Sequence, residues 1–134
     1  AVNENNTITA LSLKYDKIKN IFEAKKNVIA TDFEKDATIF ADEITYLKND
    51  EKVFAKGNSK AVNQNNRITA SSLEFEKANN VFKAKKNAVI NDFENNTTIY
   101  ADEISYFKNE EKIFTKGKTK ALIQNKYKLF INCI

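Results

Sequence analysis

The residues that could do covalent chemistry are few, and they come in copies. Asp42-Glu43 and Asp102-Glu103 set paired carboxylates sixty positions apart, a pairing that general acid–base catalysis would use. Adjacent residues on a strand point to opposite faces, so neither pair converges on one substrate atom. Both pairs are read as solvated bend residues. Cys133 is the only thiol, and the chain has no histidine to serve it as a base; it is read as a buried structural thiol. The lack of histidine also removes the commonest metal ligand. No Gly-rich phosphate loop, nucleophile elbow or Cys/His metal spacing occurs. The reading is a protein that is not an enzyme and needs no cofactor.

What does recur is apolar. Ile8, Leu13, Tyr15, Phe22, Ile39, Ile44, Tyr46 and Val53 return as Ile68, Leu73, Phe75, Phe82, Ile99, Ile104, Tyr106 and Ile113. Such a stripe has two uses: it lines an elongated groove for an apolar ligand, or it fills a closed core between two sheets. The residues leave both open. Tyr15, Tyr46 and Tyr106 carry hydroxyls that need partners if buried, and such groups favour a wet rim.

The elements that position this stripe follow from a repeat. Residues 61–120 replay residues 1–60 without insertion or deletion, with 35 identities in 60 positions, and residues 121–134 begin a third copy. A fixed period means that each unit buries its apolar face against the next. The expectation is one domain over residues 1–134 (repeat 1, 1–60; repeat 2, 61–120; partial repeat 3, 121–134), belonging to a longer protein. There is no proline, and the only glycines are Gly57 and Gly117, one per repeat at the same place. Asn, Asp and Lys clusters therefore make the turns, about every 15 residues. Ile, Val, Thr, Phe and Tyr between them favour strands, and the apolar positions alternate with period two, not 3.6.

That alternation slips by one in the middle of every other rung. Ile8/Ala10 is followed by Leu13/Tyr15, Ile39/Ala41 by Ile44/Tyr46, Ile68/Ala70 by Leu73/Phe75, and Ile99/Ala101 by Ile104/Tyr106. A parity change turns every later side chain to the wrong face unless the strand bulges or bends there. The intervening rungs carry a second corner type: Ala24-Lys-Lys-Asn27, Ala55-Lys-Gly57-Asn58, Ala84-Lys-Lys-Asn87 and Thr115-Lys-Gly117. A small residue precedes each corner, where two halves of a folded strand must meet. The predicted fold is all-β: an open, two-sheet antiparallel β-jellyroll made by a folded-over meander of kinked strands. Nine rungs at roughly 4.8 Å would stack to on the order of 40 Å. The last of them, with Tyr127, Leu129 and Ile131, is an unblunted edge open to self-association.

The net charge is +4, yet Arg67 is the only arginine. Nucleic-acid readers lean on arginine forks, so nucleic acid is not an expected partner. No apolar run reaches membrane-spanning length.

The motif Ile39-Phe-Ala41-Asp42-Glu43-Ile44-Thr-Tyr46 followed by Ala55-Lys-Gly57-Asn58, with its second occurrence at Ile99–Tyr106 and Thr115–Gly117, resembles the repeat of the OstA-like (organic solvent tolerance protein A) family. That family groups LptA, LptC and the N-terminal domain of LptD. Ala24-Lys-Lys26-Asn27 and Ala84-Lys-Lys86-Asn87 depart from it by placing lysine where glycine belongs. The resemblance implies a periplasmic lipopolysaccharide-transport module. In it the stripe from Ile8 to Ile113 lines a lipid groove, the head group stays outside, and terminal edge strands join copies or other bridge proteins. It would place the corner lysines Lys25, Lys26, Lys56, Lys85, Lys86 and Lys116 near lipid phosphates; their plainer role is solvated charge. The competing expectation is a structural β-repeat segment of a surface or filament protein with a closed core.

Overall fold

The computed structural model describes residues 6–124. Ten antiparallel strands follow in order: β1 (Asn6–Thr9), β2 (Ser12–Asp16), β3 (Ile21–Asp32), β4 (Ala37–Leu47), β5 (Lys52–Val62), β6 (Asn66–Glu76), β7 (Val81–Asp92), β8 (Thr97–Phe107), β9 (Lys112–Lys116) and β10 (Lys120–Ile123). Each long strand pairs with its sequence neighbours, β2 and β1 both pair with β3, and β9 and β10 both pair with β8. The two short pairs are therefore single rungs broken at the corner. The described residues form eight rungs of the expected nine; Tyr127, Leu129, Ile131 and Cys133 lie outside them.

Six of the turns end on a left-handed residue, at four of them the Asn or Asp that accepts such angles. Asn20, Asp36, Glu51, Asn80, Asn96 and Glu111 all have φ between 51° and 58°. Side chains also brace turns from their first residue: Asp32 Oδ1 accepts the Lys35 N–H at 3.0 Å, and in the β5–β6 turn Asn63 Oδ1 accepts the Asn66 N–H at 2.8 Å.

The two corner types are two sides of one bulge. Between β3 and β4 the register passes from Lys25↔Glu43 to Val28↔Ala41, so Lys26 and Asn27 oppose Asp42 alone. The same two-against-one count recurs between β5 and β6, and between β7 and β8. The extra residues take left-handed angles: Lys26 and Asn27 at 70° and 53°, Gly57 and Asn58 at 82° and 46°, Lys86 and Asn87 at 68° and 54°. Strands β4, β6 and β8 absorb the bend as the parity slip, and β3, β5 and β7 absorb it as the extra residue. Glycine is required at 57 by a neighbour as well as by φ. A Cβ there would stand 2.5 Å from Asp42 Oδ2, and at Gly117 it would fall on the Asp102 carboxylate.

Hydrogen bonding makes one ten-stranded sheet, whose two folded-over halves are the two facing layers expected. Six strands run through the corner unbroken, so the ladder continues across it and the sheet is folded along the line of bulges. One half, the aromatic half, holds β2, residues 21–25, 43–47, 52–56, 72–76, 81–85 and 103–107, and β9. The other, the aliphatic half, holds β1, residues 28–32, 37–41, 59–62, 66–70, 88–92 and 97–101, and β10. The corner residues Ala24, Ala41, Ala55, Ala70, Ala84 and Ala101 are all buried where the halves converge. No helix among the described residues is long and apolar enough to cross a membrane.

Candidate functional site: the apolar interior and its mouth

Register turns the sequence stripe into three rows of directly opposed side chains. Tyr15, Phe22, Tyr46, Val53, Phe75, Phe82, Tyr106 and Ile113 form the row of the aromatic half farthest from the corner. Beside it, nearer the corner, Leu13, Ile44, Leu73 and Ile104 alternate with Ala24, Ala55, Ala84 and Thr115. In the aliphatic half, Ile8, Ile39, Ile68, Ile90 and Ile99 share a row with Ala30 and Ala61. All sixteen residues of the stripe thus sit on the inner face.

Within the aromatic row, each repeat forms one stack. Tyr15–Phe22 and Phe75–Phe82 both have ring centroids 4.3 Å apart with planes within 8°. Phe22–Tyr46 and Phe82–Tyr106 extend the stacks at 5.9 and 6.3 Å. Offset stacking at such distances adds to what burial alone supplies.

The interior is closed in the middle and open at both ends of the described stack, where Ile123 in the last rung is 76% exposed. Ile44, Ile104 and Phe75 are each 1% exposed, and Ile39, Ile68, Leu73 and Phe82 are each 3% exposed, whereas Leu13 and Tyr15 in the first rung are 52% and 46% exposed. Ile8, Phe22, Ile99 and Ile113 are half-buried against the same cluster. The gap within the first five rungs, lined by Ile8, Ile39, Tyr46, Val53, Phe75 and Lys77, has a volume of about 20 Å³, room for about one water. A second, between Ile68, Phe82, Asn66 and Tyr106, is about 10 Å³. An acyl chain enters only if the halves separate.

Polar ties hold the halves together along the open side, opposite the corner. Asn66 Nδ2 donates to the Tyr106 hydroxyl at 3.0 Å. Lys77, 9% exposed, reaches from the β6–β7 turn to Asp32 Oδ2, Tyr46 Oη and Asn6 Oδ1, each at 3.2 Å. Lys108 donates to the Lys35 carbonyl at 2.8 Å. The sheet twist brings the ties across several rungs. Burial alone would lower the Lys77 ammonium's pKa, but the Tyr46 hydroxyl and the Asp32 carboxylate beside it hold it above the ordinary lysine value. Burial lowers Lys108 and raises the Tyr106 phenol. The tyrosine hydroxyls find rim partners as expected: Tyr15 donates to Asn20 Oδ1 at 3.2 Å, and Tyr46 and Tyr106 accept from Lys77 and Asn66.

Lys25, Lys26, Lys56, Lys85, Lys86 and Lys116 are all exposed, as solvated charges would be. Asp42 and Asp102 are exposed at the corner, and Asp42 accepts a hydrogen bond from Asn58 Nδ2 at 3.2 Å. The stripe read from sequence omits Val28 and Ile90, each 1% exposed. Ile90 stands where Ala30 stands in the first repeat; its period-two spacing from Ala88 was the available signal. The ties through Lys77, Asp32, Asn66 and Lys108 had no local signal at all.

No family model matches the chain, and no curated protein matches it by sequence. Among solved structures it is similar to LptH from Pseudomonas aeruginosa, the LptA homologous periplasmic component of the conserved lipopolysaccharide transport device. The TM-score is 0.80 at 13% identity, over 90% of this chain and 95% of that one. At this identity the likeness is one of fold: the chain has the folded-over β-jellyroll architecture of an LptA-like protein.

Proposed function

We propose that this chain is a non-enzymatic carrier module that takes the acyl chains of lipopolysaccharide or a similar amphiphile between the two halves of its folded sheet. The observation that carries the proposal is the unbroken inner surface. Three rows run across all eight described rungs, apolar but for Thr115, and the inward face surfaces at both ends: Leu13 and Tyr15 are half-exposed in the first rung and Ile123 is exposed in the last. The fold shared with LptH supports the same reading, and with it a periplasmic location. Terminal rungs would add to neighbouring copies or bridge proteins by strand pairing, through the edge residues Tyr127, Leu129 and Ile131 or through the β1–β2 rung.

The closed middle favours the second reading, a structural β-repeat with a dry core, and it changes the choice of experiment. Asp at Ile44 or Ile104 would unfold the protein under either reading, because both side chains are fully buried. A spin-labelled fatty acid separates the two. If it enters, it broadens the methyl resonances of the inward Ile39, Ile44 and Ile104 more strongly than those of the outward Ile29 and the exposed turn residue Ile18. Saturating ligand that leaves the inward methyls sharp would show a closed core and end the carrier reading.

A further inference from the structure

The two copies of the mouth are built from the same pair of residues and closed differently. In the second repeat, Asn66 and Tyr106 touch directly. In the first, the equivalent Asn6 and Tyr46 do not touch; the Lys77 ammonium stands between them and donates to both at 3.2 Å. Its counter-ion, Asp32 Oδ2, is also at 3.2 Å, and that oxygen makes no hydrogen bond. Charge-assisted bonds close to 2.7–2.9 Å when geometry allows. Here a nearly buried cation has three partners and none at that distance. Directly beneath it is the apolar gap lined by Ile8, Ile39, Val53 and Phe75.

We infer that Lys77 is a head-group site: it binds the anionic group, phosphate or carboxylate, of an amphiphile whose chain enters the gap below, and that anion replaces the Asp32 carboxylate as the halves part. This rests on the carrier reading and adds to it the charge of the ligand. A buried lone charge would be costly, so Asp32 neutralises Lys77 while the slot is empty. The ligand anion neutralises it when the slot is full. The phosphate ester in the probe below brings three acceptor oxygens to an ammonium that now lacks well-placed ones.

The test compares two ligands with the same twelve-carbon chain, dodecyl phosphate and dodecyl maltoside, below their micelle concentrations, by isothermal titration calorimetry. The wild-type protein is expected to bind the phosphate about tenfold more tightly, as one added charge-assisted hydrogen bond would give. The Asp32→Asn variant, which removes the competitor, should gain about tenfold more for dodecyl phosphate and stay within about twofold for the maltoside. The doubly neutral Lys77→Met/Asp32→Asn variant leaves no buried charge at the mouth; its circular dichroism spectrum checks that it is folded, and it should bind both ligands alike. Inorganic phosphate at a hundredfold excess should not compete; effective competition would mark a free-anion site and overturn the head-group assignment. Equal affinities in the wild type, or a preference that survives in the double variant, would overturn the inference while leaving the carrier reading intact. Failure of both amphiphiles to bind any variant would remove both.

Discussion

Asn66 and Tyr106 belong to different halves of the folded sheet and meet at its mouth, the asparagine amide donating to the phenol oxygen at 3.0 Å. Both are buried, at 8% and 7% exposure. Tyr106→Phe therefore strands the Asn66 amide and should cost about 1–3 kcal/mol in urea unfolding. Following it with Asn66→Leu should recover most of the loss, because an apolar pair leaves nothing unsatisfied. Additive losses in the double variant would mean that the pair does not act as a tie.

Packing in the middle of the stack should weigh far more than packing at its first rung. Phe75→Ala removes a ring that is 1% exposed and should cost about 3–5 kcal/mol. Tyr15→Ala occupies the same row two pairs of rungs away, is 46% exposed, and should cost about 1 kcal/mol or less. Chemical denaturation of the two variants decides this, and similar losses would contradict the observed gradient of burial.

At the corners, strain and sterics can be separated. Gly57→Ala meets both a φ of 82° and the Asp42 carboxylate, and should destabilise by about 2–3 kcal/mol. In an Asp42→Gly background, which removes every clashing side-chain atom but not the backbone angle, a loss of about 1 kcal/mol should remain for Gly57→Ala. Lys26→Gly, at a φ of 70°, should instead stabilise by about 1 kcal/mol. Thermal melts of these variants give the comparison; a destabilised Lys26→Gly would show that the lysine side chain matters there.

The mouth should also loosen in alkali. Lys77 and Tyr106 both hold their protons more tightly in the folded chain than their ordinary values of 10.5 and 10.0. The folded state thus binds more protons than the unfolded one above about pH 10, and stability falls as pH rises through that range. Lys108 is shifted the other way, so its titration raises stability as pH climbs toward its ordinary value. Urea midpoints at pH 8 and pH 11 should drop more for wild type than for Lys77→Met/Asp32→Asn, and more for Lys108→Met than for wild type. Equal drops in all three would separate the ties from the pH response.

Much of this architecture was legible from short-range pattern. The turns at Asn20, Asp36, Glu51, Asn80, Asn96 and Glu111, the parity slip after Ala41 and Ala101, and the small residue before each corner are all consequences of strand pleat and backbone angle. Those act over a few residues and repeat with the sequence. The closure of the interior was not legible, since it depends on how far the sheet folds and twists. The same twist brings Lys77 to Asn6 and Lys108 to Lys35, contacts 71 and 73 positions apart. Repeat symmetry hides them further: Lys17 and Lys48 occupy the equivalent places in the first repeat and are exposed.

The bulge has a consequence for how such a chain can change length. Every left-handed corner, as at Gly57, lies beside a flat one, as at Asp42, and one extra residue is accommodated by one partner that lacks it. Losing a single rung would bring two left-handed corners together, and the ladder has no partner to absorb the surplus. Losing or gaining two rungs restores the alternation. Descent by duplication is therefore confined to steps of about 30 residues or multiples of it, and an insertion or deletion of half that size is a frameshift in three dimensions.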